Sequence, residues 1–502
     1  MTFDELLRYV AAHDVRLSAA AGSLSYDAPT SAATTELLDA LRAYKAQLVD
    51  RLAAQDAGRP VTRGPLSHQQ ERMMSSVRRA ARPGVWNVAL RISLCGDIDL
   101  PALRAALDGL VDRHYALRTR FVEEDSGWVQ EIAGAHRLEV PLTDLTAVPE
   151  ADRADLAERI CHETAHQPFD LAREDPVRAH LVRVTPHDVQ LILVVHHIAC
   201  DGWAVGVLLR DLAAGYTALV SRDAGPLDPP VMQCTDYARW QRSHIDESTT
   251  ARKLAYWMAE LGDAPLILDL PYDRPRPAVP TGDGRVHRFT VPSAVVAAVD
   301  VFAHRRGITR FAVVAAAMGL LLGRLTGQRD LVLSVPYANR HTTVHEHVVT
   351  VMANAFLLRL RLDAVDSFAG LVDQAAISVF AGVEHLLPTA WIYDGLRARR
   401  GPDTPTRLPV TLSYQSSLDL RLEMPGAIAA VQEVPIHAAR SDLVFGLVPD
   451  PGELGGYVEY ALDVLDTATV EAWVDAYVDL LAQACRQPDR PLGEWLAEPV
   501  RG

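Results

Sequence analysis

Short apolar runs and segments of helical spacing follow one another along most of the chain. The runs Val88–Leu94 and Val189–Val195 predict buried strands, and Leu100–Arg113, which lies between them, predicts an amphipathic helix. A second such pattern has a helix through Phe311–Leu325 and then a strand at Asp330–Pro336. Strands that alternate with helices predict an α/β fold for the region that starts at about residue 66.

The first fifty-odd residues follow a pattern of their own. Thr2 and Glu5 have the spacing of a capping box and predict the start of a helix, and alternating residues on either side of Gly22 predict a short hairpin. A second helix is expected from about Thr35. A unit of this size is too small to hold a catalytic cleft, so we expect it to serve in an interaction with another protein.

Stretches rich in proline and glycine mark the boundaries between units. One follows the small N-terminal pattern and predicts a linker, and another, Leu261–Gly284, predicts a connection between two halves of the α/β region. The expected organisation is a small α+β unit at 1–55, a linker at 56–65 and two halves at 66–260 and 261–500.

Composition and charge narrow the possible partners. The chain has 502 residues, of which 49% are hydrophobic and 23% charged, as in a globular protein. Its net charge of −15 argues against nucleic acid as the main partner, because phosphate binding needs a basic surface. The longest uncharged apolar stretch, Phe311–Gly323, is too short to span a bilayer, and no signal peptide is visible.

Cysteine and lysine usage exclude further classes of chemistry. The five cysteines have no spacing typical of a disulfide framework or a zinc site, which favours a reducing cytoplasm and no metal. With only two lysines, Lys45 and Lys253, a lysine Schiff base is disfavoured.

The clearest chemical pattern follows the predicted strand Val189–Val195. The segment HHIACDG, His196–Gly202, lies between that strand and a predicted helix, where the strand fixes the backbone and the loop exposes side chains. A histidine there can accept a proton near neutral pH, and Asp201 can orient a ring or anchor the loop. Most histidines beside an apolar strand are ordinary core or surface residues, but this combination is rare by chance.

The segment resembles the HHxxxDG signature of condensation domains of nonribosomal peptide synthetases. Six other segments resemble motifs of that family, in order and spacing: LSHQQER (Leu66–Arg72), DRHYALRTRF (Asp112–Phe121), DYARWQ (Asp236–Gln241), VPYANR (Val335–Arg340), MANAFLLR (Met352–Arg359) and YVEYALDVLD (Tyr457–Asp466). Residues 1–53, through FDELLRYV, LSYDAP and LRAYKAQLVDRL, are similar to N-terminal docking domains of the TubC type. The larger resemblance covers about 66 to 481.

The resemblance implies a fold and a reaction. The fold would be two chloramphenicol-acetyltransferase-like lobes in a V-shaped pseudo-dimer, preceded by the small docking domain. The reaction would transfer an acyl or peptidyl group from a phosphopantetheine thioester on a carrier protein to an amine, forming an amide. No cofactor is expected to be bound. The sequence has no P-loop, adenylation signature or carrier serine, so both substrates would arrive from outside.

The resemblance also implies partners and site residues. The partners would be an upstream synthetase subunit, bound through residues 1–55, and donor and acceptor carrier proteins in trans, with neither nucleic acid nor membrane involved. His197 would contact the acceptor nitrogen and His196 would shape the catalytic loop. Asp201, Gly202 and Arg340 would be structural, with an Asp201–Arg340 pair between the lobes. The expected tunnel residues are Trp203, Asn354, Ser413 and Gln415.

Three alternatives stay open. The chain could form an ester or use a soluble amine, since nothing in the sequence tethers the acceptor. It could be a module that only recruits a carrier protein, with its histidines purely structural. Epimerisation domains share the HHxxxDG signature, so the loop does not exclude that reaction.

Overall fold

A computed structural model describes most of the chain. The described residues are 62–125, 127–221, 227–415, 420–450 and 452–500, together with 1, 5, 6, 9, 10, 13, 15–20, 23–29, 34–45 and 48 of the N-terminal unit. Residues 56–61 of the predicted linker lie outside the described residues, as does most of the predicted first helix. The rest of the predicted linker is wrong, because Thr62–Pro65 form a strand that pairs antiparallel with Gly127–Ile132.

The N-terminal unit contains the predicted hairpin and second helix. Its described elements are β1 (Arg16–Ala20), β2 (Ser23–Asp27) and α1 (Thr35–Ala43). The two strands pair antiparallel, and Thr34 caps the helix by accepting from the backbone N–H of Leu37. Leu6, Leu37 and Leu48 belong to a small hydrophobic cluster of this unit, separate from the larger cores. The unit thus has an apolar core of its own.

The first half of the α/β region is built around a five-stranded and a three-stranded sheet. Its elements are β3 (Thr62–Pro65), α2 (His68–Arg79), β4 (Asn87–Gly96), α3 (Leu100–Arg113), β5 (Thr119–Glu124), β6 (Gly127–Ile132), β7 (Leu142–Asp144), α4 (Glu150–His166), β8 (Val177–Thr185), β9 (Asp188–His196), α5 (Gly202–Val220), α6 (Cys234–His244) and α7 (Glu247–Leu261). The predicted strands and the helix of this half are present, with ends shifted by a few residues at most.

The second half is built around a six-stranded sheet. Its elements are β10 (Gly284–Val291), α8 (Ser293–Arg306), α9 (Arg310–Thr326), β11 (Asp330–Tyr337), α10 (Thr343–Glu346), β12 (Asn354–Arg361), α11 (Phe368–Glu384), α12 (Thr389–Arg400), β13 (Val410–Tyr414), β14 (Ala427–Glu433), β15 (Leu443–Asp450), β16 (Glu453–Ala461), α13 (Thr467–Arg486) and α14 (Leu492–Ala497). Helix α9, buried along nearly its whole length, forms much of the core of this half.

One strand departs from the sequence-based division into halves. That division assigned all of 261–500 to the second half, but β14 pairs antiparallel with β4 and forms the edge of the first sheet, in the order β14-β4-β9-β8-β7. The second sheet has the order β10-β16-β15-β13-β11-β12. The second half therefore contributes one strand to the sheet of the first half. The remaining boundaries stay predictions.

Helix α5 is long and apolar enough, by length and composition alone, to be considered for a membrane span. Its surroundings identify it as a core helix. It packs along α3, and one face is buried from Ala204 to Tyr216. Asp211, a partly buried residue of α5, accepts one hydrogen bond from Nε of Arg113 at 2.7 Å and pairs with His114 at 2.8 Å.

Candidate functional site

The HHIACDG segment joins β9 to α5. The strand ends at His196, and the helix begins at Gly202, which is exposed. The backbone N–H of His197 donates to the carbonyl of Trp86 at 2.8 Å, and the N–H of Ala199 donates to the carbonyl of His196 at 2.8 Å. The first bond ties the loop to the segment that contains Trp86, and the second closes the turn. Together they fix the conformation of the loop.

His196 is buried, and its ring is part of the loop's hydrogen bonding. Its Nδ1 accepts from the backbone N–H of Ile198 at 3.1 Å, which requires the neutral form with the proton on Nε2. Burial, helped by the adjacent His197, lowers the pKa of His196 to about 3. This imidazole is therefore neutral at physiological pH, and it forms part of the loop's hydrogen bonding.

His197 points into a different environment. Its ring lies edge-on to Trp86, with 6.1 Å between ring centroids. Its Nδ1 is buried and makes no hydrogen bond to another residue of the described ranges. Burial lowers the pKa of His197, and the positive charges of Arg440 and Arg72 lower it further. A neutral imidazole, able to accept a proton, follows from this arrangement.

Asp201 is the anchor of the loop. Its carboxylate caps α5 by accepting from the backbone N–H of Ala204 at 3.0 Å. It also accepts two bonds from Arg340, both at 2.8 Å, and one each from the N–H groups of Met352 and Ala353 at 2.9 Å. Burial alone would raise the pKa of this carboxyl, but Arg340 and these hydrogen bonds hold it below its ordinary value.

The Asp201–Arg340 pair expected from the sequence is therefore present, and it joins the two halves. Only 3% of the Asp201 side chain and 1% of the Arg340 side chain are exposed. Arg340 also donates to the carbonyl of Ala338 at 3.0 Å, and its guanidinium lies 5.7 Å from the ring centroid of Trp203. A buried pair of this kind is tolerable because each charge satisfies the other, and removing one partner strands the other.

The comparison with family models decides the family. The model of the condensation domain matches residues 62–499, and the model of the TubC N-terminal docking domain matches residues 4–53. The chain belongs to the condensation-domain family. Its N-terminal segment matches the docking family that the sequence indicated.

Relatives of this condensation domain are parts of large synthetases. Chondramide synthase cmdD of Chondromyces crocatus is 31% identical over 86% of this chain, and malpinin synthetase of Mortierella alpina is 30% identical over 89%. The phosphinothricin tripeptide synthetase PhsC of Streptomyces viridochromogenes is 32% identical over 81%. The chain spans 11%, 6% and 38% of these three proteins, respectively.

Solved structures share the fold. The X-domain from teicoplanin biosynthesis superposes with a TM-score of 0.76 at 26% identity, over 86% of this chain and 96% of that one. The SgcC5 protein of Streptomyces globisporus gives 0.70 at 25% identity, over 85% and 100%. The starter condensation domain of rhizomide synthetase RzmA gives 0.73 at 22% identity, over 86% and 96%, which supports the fold alone. The two-lobed α/β fold implied by the resemblance is thereby confirmed, and we call the halves lobes below.

Two of the predicted tunnel residues lie close to the Asp201–Arg340 pair. Trp203 donates its indole N–H to the carbonyl of Glu346 at 2.9 Å. Asn354 is buried, donates to the carbonyl of Leu387 at 2.7 Å and accepts from the hydroxyl of Thr389 at 2.8 Å. The bond of Trp203 crosses between the lobes, whereas both bonds of Asn354 lie within the second lobe. Their place in a substrate tunnel stays a prediction.

The other two predicted tunnel residues belong to a polar cluster on the second lobe. Gln415 donates to the hydroxyl of Tyr457 at 2.7 Å, and Ser413 hydrogen-bonds the same hydroxyl. Burial raises the pKa of Tyr457 to about 12, so the phenol stays protonated. The cluster continues through Arg440, which pairs with Glu459 at 2.7 Å.

Sequence reasoning assigned no role to Tyr457, Arg440 or Glu459. Arg440 supplies much of the positive charge that lowers the pKa of His197, and Glu459 neutralises part of it. A signal did exist, because a carboxylate at a buried position of the strand β16 requires a cationic partner. The sequence alone did not say which of the arginines that partner is.

Proposed function

We propose that this condensation domain forms an amide by transferring an acyl or peptidyl group from a carrier-borne thioester to an amine. The proposal rests on one observation: His197 is neutral, and the loop that contains it makes hydrogen bonds to residues of both lobes. Asp201 holds the loop to Arg340 and to the backbone of 352–353, while Trp86 holds His197 itself. A thioester is already activated, so positioning the amine supplies a large share of the catalysis.

The proton balance assigns a task to His197. The amine nitrogen forms a bond to the thioester carbon, the carbon–sulfur bond breaks, and the proton lost by nitrogen ends on the leaving thiol. The imidazole of His197 accepts a hydrogen bond or proton from the amine as the tetrahedral state forms. Its lowered pKa keeps it available as an acceptor at neutral pH.

The partners follow from the same proposal. A phosphopantetheine arm on a donor carrier brings the thioester, and a second carrier in trans brings the amine. The N-terminal unit binds the upstream synthetase subunit that delivers the donor. The family model of a docking domain at residues 4–53 supports this assignment.

The test replaces His197 with alanine and measures product formed from a loaded donor carrier and an aminoacyl acceptor carrier. We expect turnover to fall by ~10²–10⁴-fold if the imidazole acts as an acid or base. The control is His187→Ala, since His187 is an exposed histidine at the opposite end of β9. A loss below about tenfold with the fold intact would assign catalysis to other groups.

A second candidate function is a module that recruits a partner without catalysis. One observation favours it, namely the likeness to an X-domain that was solved in a complex with OxyB. This function predicts that His197→Ala leaves product yield unchanged.

Running the same assay with soluble amines and alcohols in place of the acceptor carrier separates amide formation from the ester-forming and free-amine alternatives.

A further inference from the structure

A cavity of about 220 Å³ lies between the lobes, beside the Asp201–Arg340 pair. Its wall includes Asn339 and His341, the two neighbours of Arg340 in the chain, and Asn354 at the start of β12. The first lobe contributes Gln69 of α2 and the side of α6 that carries Trp240. The cavity therefore adjoins the anchor of the catalytic loop and is bounded by both lobes.

The described residues that line the cavity include a positively charged side chain and no negatively charged one. Lys253 and the imidazoles of His244 and His341 line the cavity, and no aspartate or glutamate does so in the described part of the chain. The ammonium group of Lys253 donates a hydrogen bond to the carbonyl of Leu386, with 3.3 Å between Nζ and the oxygen. No carboxylate of the described residues lies within salt-bridge distance of it, although many arginines of the chain are paired in this way.

The surroundings of Lys253 leave its charge incompletely balanced. Burial lowers the pKa of this lysine, the neighbouring Arg252 lowers it further, and Glu384 acts weakly in the opposite direction. A partly buried ammonium without a carboxylate partner is unfavourable, because it has lost water and gained no counter-ion. An anion bound in the cavity would supply the missing partner.

One further side chain of the wall can donate hydrogen bonds. Gln69 accepts from Gln241 at 2.8 Å through Oε1, which leaves its Nε2 without a partner among the described residues. His341 donates its Nε2–H to the amide oxygen of Asn339 at 2.8 Å, and its pKa is lowered by burial and by the charge of Lys253, so the ring stays neutral. His244 stacks on Trp240, with ring centroids 4.8 Å apart. The cavity thus combines one cation, the amide donor of Gln69 and an aromatic face.

We propose that this cavity binds a singly charged oxyanion of a substrate, with Lys253 as its counter-ion. The inference rests on the proposed function, because it assigns the anion to a reactant of that transfer. Two sources share this chemistry: the carboxylate of a free amino acid that serves as acceptor, and the phosphodiester of a carrier's phosphopantetheine arm. The volume suits such a group and excludes a folded carrier domain.

The chain offers a direct probe, because it contains only two lysines. Labelling with ¹³Cε-lysine should give two NMR signals, from Lys253 in the cavity and from exposed Lys45 in the N-terminal unit. The probes are four: a pool of L-amino acids, a pool of their primary amides, the methyl phosphodiester of 4′-phosphopantetheine, and pantetheine. We expect one probe that carries the oxyanion, and not its counterpart without that group, to shift the Lys253 signal while the Lys45 signal stays in place.

The pair of probes that gives a response identifies which of the two substrate groups binds in the cavity. A response to amino acids and not to their amides assigns the carboxylate of a free acceptor. A response to the methyl phosphodiester and not to pantetheine assigns the phosphate of the arm. If neither probe with an oxyanion moves the Lys253 signal, or if the counterpart without that group moves it equally, the proposal is wrong.

Variants separate the charge of Lys253 from its shape. Isothermal titration calorimetry reports affinity in variants that lack the Lys253 signal. Lys253→Met should weaken binding of the active probe at least about tenfold, and Lys253→Arg should restore it to within a few-fold. Lys45→Met removes the same charge elsewhere and should leave the affinity unchanged. Equal affinity of Lys253→Met and the native chain would overturn the proposal. The binding readout needs no turnover, so it can fail or succeed independently of the His197 assay.

Discussion

At the scale of single residues, Asp201 has two tasks that can be measured separately. It caps α5 and it is the counter-ion of a buried arginine. Asp201→Ala should lower the free energy of unfolding by ~3–5 kcal/mol, because Arg340 is left buried without a partner. Asp201→Asn should lose less, since the amide oxygen can still accept hydrogen bonds. Urea denaturation of the purified variants measures both changes.

Asp246 provides the matched control for this prediction. It caps α7 by accepting from the backbone N–H of Thr249 at 2.9 Å, but it is exposed and has no part in the lobe interface. Asp246→Ala should therefore show only the smaller loss typical of a helix cap. Equal losses for Asp201→Ala and Asp246→Ala would mean that the buried ion pair contributes nothing of its own.

The buried His196 should make the stability of the fold sensitive to acid. The pKa of His196 falls from an ordinary value of 6.5 to about 3 on folding, so between these values the unfolded chain binds a proton that the native chain does not. Stability should therefore fall as pH drops below about 6.5, by up to about 1.4 kcal/mol per unit for this one group. His114 and His180, whose pKa values burial also lowers, add to the slope.

His196→Asn tests the assignment, because asparagine can still accept from Ile198 but does not titrate. Denaturant midpoints measured from pH 7.5 to 5 should show that the difference between the native chain and the variant shrinks as pH falls. Aspartate and glutamate contribute little in this range. Parallel curves for the two proteins would contradict the lowered pKa of His196.

The HHIACDG loop could be predicted from the sequence, whereas its electrostatic surroundings could not. His196, His197 and Asp201 lie within one short segment, and the pairing with Arg340 was implied by the resemblance. Arg440 affects the pKa of His197, and Lys253 lines the adjoining cavity, only because the fold brings distant segments together. No local spacing marks either residue, so only the packing of the lobes could identify them.

At the scale of elements, Gly446 positions the polar cluster beside the second sheet. It lies on β15 opposite Tyr457 of β16, and a Cβ added there would lie 2.2 Å from the tyrosine ring. Gly446→Ala should therefore push the ring away, separate its hydroxyl from Gln415 and cost about 1–3 kcal/mol through overpacking. Chemical denaturation and the condensation assay measure the two effects.

The control for this change lies on the same pair of strands. A Cβ at Gly455 would find its nearest atom, the carbonyl oxygen of Val448, at 3.7 Å, which is an ordinary contact. Gly455→Ala should therefore be close to neutral in both stability and activity. Similar losses in the two variants would show that chain flexibility, rather than the space for the tyrosine ring, is what these glycines supply.

Element prediction succeeded where a strand or helix carries a strong pattern of its own. β9 and α3 were recognised because apolar residues dominate the first and recur at helical spacing in the second. β14 was not, because its residues alternate between half-buried and exposed and its place in the first sheet depends on pairing with β4. Pairing between segments so far apart in sequence leaves no local signature.

At the scale of the whole molecule, several contacts hold the lobes together around the site. Among them are the Asp201–Arg340 pair, the pairing of β14 with β4, and a hydrogen bond from the side-chain amide of Gln70 to the hydroxyl of Thr350 at 3.3 Å. Asp201 lies in the HHIACDG loop, and Gln70 follows Gln69 of the cavity wall. Changes in lobe contact and changes in the site are therefore expected to occur together.

The N-terminal unit is attached to the first lobe more loosely. An ion pair between Arg104 of α3 and Asp27 of β2 connects the two, while the unit's apolar residues form their own cluster. Removal of residues 1–56 should therefore leave a folded condensation domain that turns over small-molecule thioesters at the rate of the full chain. With the upstream synthetase subunit as donor, its efficiency should fall, because a tethered donor encounters the site at a higher effective concentration.

Asp27→Asn serves as the control, since it weakens the ion pair while the docking unit stays in the chain. If that unit acts by tethering the upstream subunit, Asp27→Asn should retain the advantage of the full-length donor, and only the deletion should lose it. Titration of the separated donor carrier should then restore the rate of the deleted form, because concentration replaces the tether. Unchanged rates of the deleted form with the full upstream subunit would exclude a docking role for residues 1–56.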